Sequence, residues 1–98
     1  MKLVFDDRAL SDLEDIFHWI AKDNPTAAKA VVEHIFSSVE YLAKFPQMGR
    51  AGRDDGSCEW VVPRLPYIVV YEIHRDTDEV IVIAVVHGAM DRSSGVNL

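Results

Sequence analysis

Few side chains in this sequence have the type and spacing needed to move protons or hold charge. Arg50, Arg53 and Arg64 gather around one polar segment, with Asp54, Asp55 and Glu59 among them. The guanidiniums either stabilise negative charge developing on a bound oxygen or form salt bridges with these neighbouring acids. Glu59 is a candidate general base; its plainer role is pairing with Arg64 or Arg53. His87 closes the last apolar run, as a proton carrier or as a cap bonded to nearby backbone. Tyr67 and Tyr71 fall on one face of an alternating segment, as core aromatics with satisfied hydroxyls or as catalysts. His18, His34 and His74 lack metal-ligand spacing, and His18 and His34 are not one helical turn apart. A single cysteine, Cys58, excludes an internal disulfide framework and a cysteine zinc cluster. It reads as a small buried residue. No metal or cofactor is expected.

Helices and strands must position these groups. Lys2–Phe5 is a brief strand, and Asp6-Asp7 caps the helix after it. Leu10, Leu13, Ile16, Phe17, Ile20 and Ala21 recur at helical spacing opposite an acidic outer side. Trp19 adjoins that stripe and is expected in helix packing. Asn24-Pro25 opens a second helix reaching about Lys44, since Asn caps well and Pro loses nothing at the first helical position. Its stripe is Ala28, Val31, Val32, Ile35, Phe36, Val39 and Leu42, and so short a connection makes the two helices an antiparallel hairpin. Phe45-Pro46 ends it. Residues 47–56 are polar and glycine-rich, a loop. The period then drops to two residues: a strand over 57–62, a turn over 63–66, a strand over Tyr67–His74, a hairpin loop over 75–79 and a strand over 80–87. Gly88 breaks the last strand, and residues 89–98 form a tail. The fold class is α+β with order β-α-α-β-β-β, a helical hairpin packed on one face of a small, mainly antiparallel sheet. Residues 1–98 make one domain.

Composition narrows the partners. The 98 residues carry 10 Lys+Arg against 16 Asp+Glu, a net charge of −6, split evenly between the halves. Binders that neutralise phosphates carry a basic excess or stripe, and Arg50-Ala51-Gly52-Arg53 is cancelled at once by Asp54 and Asp55. A protein or basic peptide is the easier partner. The apolar runs fall far short of the ~20 residues a membrane span needs. The opening Met1-Lys2-Leu3-Val4-Phe5-Asp6-Asp7 is too short in apolar residues for a signal peptide. The expected compartment is the cytoplasm.

Face counting adds one expectation. In 80–87, Val80, Val82, Ala84 and Val86 alternate with Ile81, Ile83 and Val85, so both faces favour burial. One helical hairpin covers one face. The second is left to the tail and loop, or to a partner peptide or second subunit. Trp60, Tyr67 and Tyr71, with Met90, Asp91 and Arg92 of the tail, are the residues expected to meet a partner.

Five stretches in this order resemble the ParE/RelE superfamily, the toxins of bacterial type II toxin–antitoxin modules. They are Ala9-Leu10-Ser11-Asp12-Leu13-Glu14-Asp15-Ile16, Asp23-Asn24-Pro25, Phe45-Pro46-Gln47-Met48-Gly49-Arg50, Leu65-Pro66-Tyr67-Ile68-Val69-Val70-Tyr71, and Val86-His87-Gly88-Ala89-Met90-Asp91. The resemblance spans nearly the whole chain. It implies a small cytoplasmic toxin neutralised by a cognate antitoxin whose C-terminal segment wraps it as helix and strand. It also implies either of two activities: RelE-like cleavage of messenger RNA on the ribosome, or ParE-like poisoning of DNA gyrase by binding. A homodimer or a toxin–antitoxin heterotetramer fits either.

The departures favour the ParE-like branch. Many relatives have Gly-Thr-Arg-Glu where this chain has Gly56-Ser57-Cys58-Glu59, and end in His-Gly-Ala-Arg-Asp where it has Met90. A missing guanidinium costs on the order of 3 kcal/mol of transition-state stabilisation, about a hundredfold in rate. In the nuclease reading, His87 would act with Arg50, Arg53 or Arg64, and Glu59 as base. A non-toxic, degenerate member is the third reading.

Overall fold

A computed structural model describes residues 1–88 of the chain. They run β1 (Lys2–Phe5), α1 (Asp7–Ala21), α2 (Pro25–Lys44), a 3₁₀ turn (Pro46–Met48), β2 (Arg50–Ala51), β3 (Ser57–Val61), β4 (Tyr67–His74) and β5 (Glu79–His87). The α+β plan is as expected, with two additions inside the polar segment. The 3₁₀ turn and the two-residue β2 both lie where a plain loop was expected. Glycine and charge hid a strand too short to show alternation.

The caps do what their chemistry predicts. Asp6 accepts the Asp7 N–H at 2.8 Å, and Asn24 Oδ1 accepts from the Ala27 N–H at 3.0 Å, with Pro25 at the first helical position. The strands form one mixed sheet in the order β1-β5-β4-β3-β2. Only β1 runs parallel, alongside β5, with Leu3 opposite Val80 and Phe5 opposite Val82. Its partner therefore lies at the far end of the chain.

Cross-strand partners share a face, so the register sorts the side chains. Val62, Tyr67, Val69, Tyr71, Val80, Val82 and Val85 join Ala9, Leu13, Ile35, Val39 and Leu42 of the helices in one buried core. The opposite face carries Val61, Ile68, Val70, Ile81, Ala84 and Val86. Simple alternation in the last strand does not hold. The pairing jumps from Val70–Ala84 to Tyr71–Val82, so Ile83 is an inserted bulge residue that reverses the faces on either side of it. Val85 thus joins Val80 and Val82 under the helices.

The parallel pairing ends at Phe5–Val82, and among the described residues no strand continues it along the far half of β5. Helix α1 fills the gap: Asp12 Oδ2 accepts the Val85 N–H at 2.9 Å while Arg8 Nε lies 3.7 Å from the same oxygen. Asp12→Ala is expected to strand that amide and lower stability by about 1–3 kcal/mol in a denaturant titration.

Trp19 is a correction. It is 71% exposed, with the Lys22 ammonium 5.2 Å from its ring, and takes no part in helix packing. One position beyond the apolar stripe was enough to turn it outward. Among the described residues, no helix is long and apolar enough to cross a membrane.

Candidate functional site

The candidate acid–base groups are spread across the sheet. Arg50 and Glu59 are cross-strand partners, with Arg50 Nη2 3.9 Å from Glu59 Oε1. Glu59 thus pairs with Arg50 rather than with Arg53 or Arg64. Arg53 lies in the turn leading into β3, and Arg64 lies in the turn leaving it. Five strand residues separate those turns, about 17 Å at ~3.3 Å per residue. His87 stands opposite Tyr67, edge-on to its ring at 5.5 Å. That row belongs to the helix-covered face, whereas Glu59, Val70 and Ala84 form a row on the other. His87 and Glu59 therefore point to opposite sides of the sheet.

The tyrosines are held inside. Burial raises both phenols above their ordinary pKa, which disfavours the phenolate at neutral pH. The Tyr71 hydroxyl donates to Pro46 O at 2.7 Å and accepts from the Gly49 N–H at 3.0 Å. It therefore ties the 3₁₀ turn to the sheet. Trp60 is half-buried against the core and borders a shallow hollow of about 210 Å³ with Met48, Arg50, Glu59 and Val61. Cys58 is half-buried too. Met90, Asp91, Arg92 and the tail 89–98, including any sealing of the second face by it, lie outside the described residues.

The helices carry a surface that the sequence pattern concealed. Leu10, Leu13, Glu14 and Phe17 of α1 and Val32 and Phe36 of α2 line a cleft of about 370 Å³. Leu10, Phe17 and Phe36 are each more than a third exposed. At helical spacing these residues read as core. The available signal was the width of the two stripes, which exceeds what one small sheet buries.

At the end of β4, His74 Nε2 lies 2.8 Å from Glu72 Oε1. That hydrogen bond chiefly, with the charges of Glu72, Asp76 and Glu79, raises the imidazole pKa against an opposing desolvation. A raised folded-state pKa gives stability fully present below the unfolded value, ~6.5, and lost as pH rises through the folded value. Glu72→Gln is expected to bring the His74 titration, read by NMR, down toward the ordinary value and to remove that acid-side stability.

A family model for the ParE toxin of type II toxin–antitoxin systems, parDE, matches residues 3–92. The chain belongs to the ParE toxin family. A Sinorhizobium fredii protein named "Putative toxin Y4kP" is 41% identical over 80 residues, spanning 82% of this chain and 80% of that protein. The chromosomal ParDE toxin–antitoxin system of P. aeruginosa superposes with a TM-score of 0.77 at 21% identity, covering 89% of this chain and 95% of that one. The toxin–antitoxin complex RelBE of E. coli superposes with a TM-score of 0.62 at 19% identity, over 86% and 92% of the two chains. The chain is the toxin of a type II toxin–antitoxin system, and its sheet and helical hairpin are those of the ParE and RelE folds. Membership rests on the sequence match, whereas the structural likenesses extend the shared fold across both branches. Among the described residues of this ParE-family toxin, no group of three or more His, Cys, Asp or Glu side chains is arranged to hold a metal ion.

Proposed function

We propose that this toxin is neutralised by a cognate antitoxin and acts by docking on DNA gyrase rather than by cutting RNA. The observation that carries this reading is the dispersal of the acid–base candidates. Cleavage by 2′-hydroxyl attack needs a base, an acid and cations converging on one phosphate. Here Glu59 and His87 occupy opposite faces, Arg50 is engaged with Glu59, and Arg53 and Arg64 sit at opposite ends of β3. The ParE family match supports the same branch, and Cys58, where many relatives have Arg, leaves the chain one guanidinium short for cleavage. An antitoxin helix suits the cleft between α1 and α2, whose apolar lining fits i, i+3, i+7 anchors.

The test is induced expression without antitoxin, paired with a supercoiling assay on purified gyrase. Growth should stop with filamentation and a DNA-damage response, transcripts should stay intact, and supercoiling should fall. His87→Ala should be equally toxic. Cut transcripts at the onset of arrest, with toxicity lost in His87→Ala, would overturn the docking reading in favour of the ribosome-dependent nuclease. Absence of arrest would point to the degenerate member.

A further inference from the structure

The second face of the sheet is apolar, and among the described residues no helix lies on it. Both helices pack on the other side, where Ala9, Leu13, Ile35, Val39 and Leu42 meet the core residues of the strands. The 3₁₀ turn is tied to that same side through the Tyr71 hydroxyl. The cross-strand rows Val61–Ile68–Val86 and Glu59–Val70–Ala84 would then stand open to water. They do not. Ile68 and Ala84 are each only 2% exposed. Cross-strand neighbours shield the flanks of such side chains, but their tips leave water only when a further layer is stacked on the sheet.

The burial is confined to part of the face. Val61 on β3 is 44% exposed, although it shares a row with Ile68. The cover therefore reaches β4 and β5 and stops short of β3. The chain leaves β5 at that very place. Gly88 N–H donates to Pro66 O at 2.6 Å, and its open side faces Ile68, whose Cδ1 would lie 3.5 Å from a Cβ at position 88. Gly88 is thus already seated over Ile68 where the described residues end. Ten residues follow it, and Met90 is the first large apolar one among them.

We propose that residues 89–98 turn back over the second sheet face and that Met90 is seated on Ile68 and Ala84. The reach is sufficient. The rows of Ile68 and Ala84 are two strand residues apart, about 7 Å at ~3.3 Å per residue, and Met90 is two residues beyond Gly88. Methionine has three rotatable bonds and fills irregular apolar surfaces. Asp91, Arg92, Ser93 and Ser94 then suit the solvated outer side of the strap. A segment of this chain is favoured over a second copy or a separate peptide for two reasons. The cover begins where Gly88 already touches the face, and a tethered segment meets that face at a high effective concentration. The contact closes the second face to an extended partner segment and leaves the interhelical cleft as the apolar surface open to one. It stands independently of the gyrase reading above.

The test is methyl NMR on the full-length chain with labelled Ile, Ala and Met methyl groups. Nuclear Overhauser contacts should link the Met90 ε-methyl to the Ile68 δ1-methyl and the Ala84 β-methyl, with an intensity independent of protein concentration. Full-length Met90→Asp should lose these contacts, melt a few degrees lower and bind a hydrophobic dye several-fold more strongly as the sheet is bared. Met90→Leu should keep the dye binding of the wild type. Absence of the contacts in the wild type would overturn the proposal. Contacts seen only between differently labelled molecules would also overturn it, by making a second copy the occupant. Contacts to Ile68 and Ala84 that arise only from added cognate antitoxin would overturn it by giving the face to the partner. Should Met90→Asp fail to fold, the wild-type contacts still decide.

Discussion

Gly49→Ala is expected to destabilise the toxin by about 2–4 kcal/mol, a fall of about 10 °C or more in Tm for a domain of this size. The strain is local and steric. A Cβ at position 49 would overlap the Tyr71 hydroxyl and come 2.8 Å from Glu59 O. Neither neighbour can retreat cheaply, because Tyr71 is fully buried and Glu59 O is backbone in the strand next to β2. Relief would break the hydroxyl's bonds to Pro46 O and the Gly49 N–H, leaving a buried phenol unsatisfied. Tyr71→Phe alone should cost about 1–3 kcal/mol by the second of these routes. In the double variant the losses should be less than additive, since removing the hydroxyl removes part of the clash. Denaturant titrations of the four proteins check this; strict additivity would mean that Gly49 and Tyr71 do not act through each other.

Phe17→Glu should have the largest effect on partner binding. Phe17 lines the interhelical cleft beside Glu14, Leu10 and Phe36, and at 37% exposure it tolerates replacement with a stability loss of about 1 kcal/mol. Binding magnifies the cost. An antitoxin helix closing the cleft would desolvate the new carboxylate next to Glu14, where no cation among the described residues lines the walls. A penalty of about 3 kcal/mol corresponds to a hundredfold or more in Kd. Calorimetric titration measures the loss directly, and in cells the antitoxin should no longer protect against the variant. Unchanged affinity would move the antitoxin off this cleft.

The elements were legible because each is announced locally. Asp6 and Asn24-Pro25 cap the helices that follow them, and Phe45-Pro46 stops the second. Strand periodicity marks β3, β4 and β5. What was not legible depended on long-range geometry. Nothing around Lys2–Phe5 says that it pairs with Glu79–His87, and nothing around Ile83 announces a bulge, since all its neighbours are apolar. The bulge in turn decides which β5 residues face the helices, so simple alternation misassigned Ala84, Val85 and Val86. Candidate site residues suffered similarly. Residue type singles out Arg50, Arg53, Arg64, Glu59 and His87, but only the register shows that they diverge. Tyr71 illustrates the opposite case: of its two proposed roles, the satisfied core hydroxyl is the one its bonds to Pro46 O and the Gly49 N–H fulfil. Trp19 and the cleft residues Leu10, Phe17 and Phe36 mark a further limit. Amphipathic spacing identifies a stripe, yet how much of the stripe a neighbour covers is settled by packing.

The parallel pairing of the first strand with the last has a consequence for biogenesis. During synthesis Lys2–Phe5 is made before both helices and the β3–β4 hairpin, and its hydrogen-bonding partner Glu79–His87 after them. Sequence-distant pairings of this kind delay completion of a native sheet. The sheet of a nascent toxin therefore cannot close before Glu79–His87 has been made, because that strand lies between β1 and β4 and joins them.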